Sequence, residues 1–210
     1  MSNPAECQSV EPTEPTFSAW LKEGTNTTHE SLDQRIMSLS PFSNRERYAL
    51  FVRTQSRLHQ AVSDWFQSDE LNNFLPGLKE RDRSEAVLQD CADFEMPESD
   101  LKADQQAAAE VTITDFHSAL GWLYVVEGSN LGAAFLLKYA RKHLDLSEEF
   151  GARHLAGHED GRGLHWRQFK TALDALELNQ EQKEVALNGA KQAFAFARQN
   201  VEQLLAPATP

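Results

Sequence analysis

His29, in the run GTNTTHESLDQRI, has the type and placement for chemistry. It stands three residues before Leu32 and seven before Ile36, so on a helix it shares their core-facing stripe. A neutral imidazole near the start of a buried face suits metal ligation, heme iron included. The same placement suits a packed histidine hydrogen-bonded to a backbone carbonyl, the more frequent use of a lone His. Lys22 lies seven residues earlier, which at helical pitch is the same face about 10 Å along the axis. That is the offset between an axial ligand and the carboxylate edge of a macrocycle. A lysine solvated at the surface is the plainer account, and Gly24 weakens the helix between the two.

The second element is GSNLG, which puts Gly128 and Gly132 one helical turn apart. Each glycine costs a helix about 1 kcal/mol against alanine, so a pair in mid-helix needs a reason. One reason is close approach of a second helix. The other is close approach of a flat ligand, together with a small molecule bound to its metal. Of the remaining histidines, none of His59, His117, His143, His154, His158 and His165 has an acidic residue three positions earlier. This removes the Glu-x-x-His signature of a di-iron bundle. His154 and His158 are four apart, but AGHEDGRG is a poor helix and reads as a loop with solvated histidines. Cys7 and Cys91 offer neither a disulfide framework nor a metal-binding spacing.

The elements that must position these residues are helical almost throughout. Leu32, Ile36 and Leu39 mark one helix. Tyr48, Phe51, Leu58, Val62, Trp65 and Phe66 mark the next, which ends at LNNFLPGL (71–78). A third is expected from about Lys79 to Ala92, closed by FEMPESD. From Thr114 to about Leu144 a strongly apolar pattern predicts one long helix, bent at Gly128, Ser129 and Asn130. A glycine-rich loop (148–163) precedes helices at about Leu164–Leu176 and Gln180–Leu205. No proline falls between Pro97 and Pro207, which permits such lengths. The class is all-α, a single-domain helical bundle at residues 17–205, with a polar N-terminal tail (1–16) and a short C-terminal tail (206–210).

A net charge of −12 disfavours wholesale binding of nucleic acid or anionic lipid. The N-terminal residues lack the basic start and apolar stretch of a secretory signal, and the longest apolar run, Ala119 to Val126, is too short for a bilayer. A soluble, cytoplasmic protein is expected.

The run ALGWLYVVEGSNLGAAFLLK closely resembles the distal helix of bacterial heme oxygenases, and THESL with His29 resembles their proximal helix. LNNFLPGLKERDR (71–83) and EEFGARHLA (148–156) are similar to further blocks of that family, in the same order, over roughly residues 17–205. The resemblance implies an oxidoreductase of the heme oxygenase fold, with heme held between the proximal helix and a kinked distal helix. Heme is then both cofactor and substrate, opened with O2 and electrons to biliverdin, iron and carbon monoxide. It implies His29 as iron ligand, Gly128 and Gly132 facing O2, Arg83 ordering distal water, and Lys22 and Tyr124 binding propionates; Arg198 is a further propionate candidate. Relatives with unusual regiochemistry carry a neutral residue at the place of Lys22 and a Lys at that of Tyr139. This sequence departs from them, so α-meso cleavage is expected. The partners implied are heme, O2 and an electron donor of reductase or ferredoxin type, in heme degradation that releases iron and can serve iron acquisition. A heme carrier or sensor that does not cleave the ring is the alternative.

Overall fold

The computed structural model describes residues 15–206, so most of both expected tails, and Cys7, lie outside the described residues. Among the described residues eight helices follow one another: α1 (Phe17–Ser38), α2 (Arg45–Phe66), α3 (Asp69–Phe74), α4 (Ser84–Asp93), α5 (Glu98–Ala109), α6 (Phe116–Leu144), α7 (Arg162–Asp174) and α8 (Gln180–Leu204). Short 3-10 turns at Lys79–Arg81 and Arg153–Leu155 complete them, and no strand of a sheet occurs among the described residues.

Capping explains several starts. Asn44 accepts from the Arg47 N–H, Ser68 from Leu71, and Asp115 from His117 and Ser118. Asn179 and Gln182 form a reciprocal capping box at α8. At α1 the Asp174 carboxylate, from the end of α7, accepts from the Ser18 N–H at 2.6 Å and the Ser18 hydroxyl at 2.9 Å. The two helices are thereby pinned end to end.

The centre of the bundle is α6 against α8. A Cβ on Gly121 would lie 1.9 Å from the Ala186 carbonyl oxygen, and one on Gly189 would lie 2.3 Å from that of Ser118. Only glycine lets these backbones approach so closely. By length and composition α6 would span a bilayer, but it is largely a core helix, with Leu120, Leu123 and Val126 fully buried.

Three expectations need correction. LNNF is a separate helix, α3, because α2 stops at Phe66 and Ser68 caps a new start. The third helix begins at Ser84, after the 3-10 turn. The distal segment is the one long helix expected, α6, and at Gly128 to Asn130 the Ser129 hydroxyl donates to the Val126 carbonyl at 2.7 Å. Helix α5 lacks an apolar stripe and was not anticipated; its inward residue is Asp104, fully buried, which accepts from Arg53 and from Arg57 at 2.7 Å each. Arg57 also donates to Gln203 of α8, so a polar network docks the helix.

Candidate functional site

A cavity of about 900 Å³ opens between α1 and α6, walled by α2, α7, α8 and the turn Arg153–Leu155. Cofactor sites fall in this size range. Lys22 and His29 both line it from α1, so the helix runs through Gly24 without losing register. The His29 ring is 54% exposed, because the stripe it shares with Leu32 faces the opening rather than closed core. It packs in a T-shape with Phe194, ring centroids 5.9 Å apart, and Nε2 lies 3.5 Å from an Asp33 carboxylate oxygen.

Across the cavity stand Gly128 and Gly132. At Gly132 nothing beyond its own stretch of helix lies within 4 Å of where a Cβ would be; at Gly128 the nearest atom is the Trp166 ring, at 3.5 Å. This decides between the two reasons for the GxxxG pair. Helix-on-helix packing falls instead to Gly121 and Gly189, and Gly128 and Gly132 bare the α6 backbone to the cavity.

One end of the cavity carries two lysines, with the Asp174 carboxylate beside them. Tyr124 lines it one turn before Gly128, its ring 5.4 Å from that of Trp166. Burial, with the Asp174 charge, pushes the Tyr124 phenol up to about 12, so it is a hydrogen-bond donor at neutral pH. Lys170 lines the cavity from α7, with its ammonium 5.9 Å over the Trp166 ring. Since Asp174 binds Ser18, one turn before Lys22, the two lysines converge on the same end. Sequence reasoning missed Lys170, whose approach depends on that tertiary pin.

Two expected residues stand elsewhere. Arg198 does not line the cavity; it donates to Glu202 at 2.7 Å and turns toward Ser31 at 3.4 Å. Arg83 is also outside the lining, half-buried behind the wall where it feels Glu127, and burial pushes its guanidinium down. The arginine that meets Glu127 is Arg81, at 2.7 Å. Glu127 is buried and absent from the cavity surface; Asn130, which does line the cavity, donates to its other oxygen at 3.2 Å. The site therefore presents an amide, not an acid, beside the glycines.

His154 also departs from expectation. It is buried, 3% exposed, and lines the cavity, with Nδ1 2.7 Å from Asp90; the turn Arg153–Leu155 folds inward where a solvated loop was expected. His158 is partly exposed and stacks on His165 at 3.9 Å. His59, from α2, is buried on the cavity wall. Among the described residues no group of three or more His, Cys, Asp or Glu side chains could hold a metal. Cys91 is buried and unpaired.

The arrangement fits a flat, mostly apolar ligand that takes one imidazole on one face, meets bare backbone on the other, and carries anionic groups at one end. The heme oxygenase family model matches residues 15–203. The heme oxygenase PigA of Pseudomonas aeruginosa is 40% identical over 172 residues, 81% of this chain and 83% of that protein. The NO- and CO-bound heme oxygenase of Neisseria meningitidis superposes with a TM-score of 0.82 at 40% identity, covering 92% of this chain and 94% of that one. Heme oxygenase-1 of the cyanobacterium Synechocystis, solved with heme, shares the fold with a TM-score of 0.67 at 16% identity, covering 90% of this chain and 92% of that one.

Proposed function

The chain belongs to the heme oxygenase family, and from that premise we propose that the α1–α6 cavity is its heme site, with His29 as iron ligand and cleavage at the α-meso carbon. When bound, heme supplies both the iron that activates O2 and the ring that is opened, leaving as biliverdin, iron and carbon monoxide. The residues carry the rest. His29 presents its ring from a rigid helix and fixes the face that is ligated. Lys22, Lys170 and the Tyr124 hydroxyl hold the propionates at the lysine end, which sets the rotation of the ring in its plane. Gly128 and Gly132 leave room for O2 against the backbone. The turn of Glu127 toward Arg81 keeps a strong acid away from O2. Arg83 acts from behind the wall, through water, on the same side.

The observation that carries this reading is a half-exposed imidazole that shares a cavity with a glycine whose Cβ position has nothing outside its own helix within 4 Å, in a cavity that ends in two lysines. For α-meso cleavage the support is Lys22 at the lysine end, with no cation in place of Tyr139, which packs on Phe42 and Phe135 outside the lining. The same proposal takes the cytoplasm as the location and a reductase or ferredoxin as the electron donor. The test is hemin and a reductant in air, followed by absorption spectra and chromatography of the product isomers. The α isomer is expected from the wild type, and a mixture from Lys22→Ala. A stable heme spectrum without biliverdin bands would mean a carrier instead.

A further inference from the structure

Arg162, the first residue of α7, stands where its own helix disfavours it. A cation at a helix N-terminus opposes the macrodipole, and no acidic residue shares that first turn. Burial and the Arg83 charge push its guanidinium down, and Lys138, Arg141 and Lys142 line the same cleft of about 560 Å³. The Glu148 carboxylate, which favours the charged form, is bonded to Arg141 instead. Arg162 bonds two main-chain carbonyls: Nη1 donates to that of Asn130 at 2.9 Å and Nη2 to that of Leu155. Both residues line the α1–α6 cavity, whereas Arg162 does not.

The Asn130 carbonyl lies midway along the stretch of α6 that has least else to hold it. Gly128 and Gly132 carry no side chain and weaken the helix. A Cβ at Gly132 would meet nothing beyond the helix, the Ser129 hydroxyl turns back to the Val126 carbonyl, and Leu131 is exposed. Arg162 and Trp166 are four apart and share one face of α7. Trp166 meets the stretch at Gly128, its ring 3.5 Å from the Cβ position, and Arg162 meets it at Asn130. The same guanidinium reaches the turn Arg153–Leu155, so one side chain joins α6, α7 and the turn. Arginine suits the place, since its fork donates in fixed directions and keeps its charge when half-buried.

We propose that Arg162 is a positioning residue that fixes the bare stretch of α6 in the cavity wall by tying the Asn130 carbonyl to that of Leu155. The depth of the cavity between α1 and α6 then follows from a bond made by a residue outside its lining. Without the tie, the stretch from Gly128 to Gly132 takes a range of positions and the space beside it varies. This rests on the heme reading for its consequence, since that space is where O2 must lie, but not for its geometry.

Amide hydrogen exchange on the protein without heme comes first. Arg162→Met, which keeps the stem and loses the donors, should speed exchange from Gly128 to Leu136 about tenfold and leave α8 unchanged. Loaded with reduced heme, the same variant should show a broader carbon monoxide stretching band than the wild type, with hemin affinity kept and turnover about tenfold slower. Arg162→Lys restores one charged donor but not the fork, so it should recover part of each effect, and it carries the comparison alone if Arg162→Met does not fold. Arg141→Met, which removes a cation from the same cleft, should behave as the wild type. Unchanged exchange from Gly128 to Leu136, or exchange raised equally in every helix, overturns the proposal. So does a carbon monoxide band as sharp as that of the wild type, or an Arg141→Met that matches Arg162→Met. A wild type that does not bind hemin sinks the heme reading instead, while the exchange result still decides the tie.

Discussion

The exposed ring of His29 contributes little to folding, since its contacts are a T-shaped packing on Phe194 and a long approach to Asp33. His29→Ala should therefore leave the stability of the heme-free protein within about 0.5 kcal/mol. The same change should abolish the imidazole-ligated heme spectrum and turnover, read by absorption on titration with hemin. His59 behaves oppositely. Burial, with the neighbouring His154 and Arg83, pushes its imidazole from 6.5 down to about 3. Between those values the unfolded chain binds a proton that the folded one refuses. Its contribution is complete above pH 6.5 and is lost as pH falls toward 3, by about 1.4 kcal/mol per pH unit. Urea melts from pH 7 to 4 should show His59→Gln with a shallower acid slope than wild type; an unchanged slope would show that His59 is not held neutral. The spacing of Lys22, His29 and Leu32 made the first face of the site legible, because helical periodicity is local. Arg83 and Arg198 were not legible in the same way. A long cationic side chain goes to whichever acceptor lies near, and for Arg198 these are Glu202, one turn on in α8, and Ser31 from α1.

Four glycines on two helices separate packing from function at the scale of elements. Gly121 and Gly189 sit where α6 and α8 touch backbone to backbone, so Gly121→Ala forces the helices apart. A loss of about 3 kcal/mol is expected, at the upper end of overpacking penalties. Gly132 has no such neighbour, and Gly132→Ala should stabilise the heme-free protein by up to about 1 kcal/mol through helix propensity. It should nevertheless slow heme turnover by narrowing the space across from His29. Urea melts paired with turnover assays check both; a destabilised Gly132→Ala would return that glycine to packing. Helix α6 was readable because its apolar run is long and free of proline. Helix α5 was not, since Asp104 occupies the inward position that an apolar residue would normally mark. His154 escaped for a related reason: glycines around it read as a solvated loop, whereas Asp90, more than sixty residues away, draws the turn inward.

The whole molecule is built around a space that its own side chains leave open. Helix α6 is gripped on one side by α8, but its Gly128 to Leu136 stretch faces the cavity, and α1 closes the far wall with few contacts to it. Leu131 and Phe135 are correspondingly exposed, at 42% and 52%. Such surface is costly in water and is covered when a flat apolar ligand enters. Binding to the folded state alone then stabilises it by mass action, by about 2.7 kcal/mol when free ligand is a hundredfold above Kd. For a chain of this size that corresponds to a rise of about 5–10 °C in Tm. Hemin should produce it in a thermal melt, and slow amide exchange most in α1 and in α6 from Gly128 to Leu136. His29→Ala should keep part of the rise, because apolar burial survives loss of the iron bond, whereas Lys22→Ala combined with Lys170→Ala should reduce it by weakening the hold on the propionates. Protection spread evenly over all eight helices would instead mean that hemin associates with the surface and that the cavity is not where it binds.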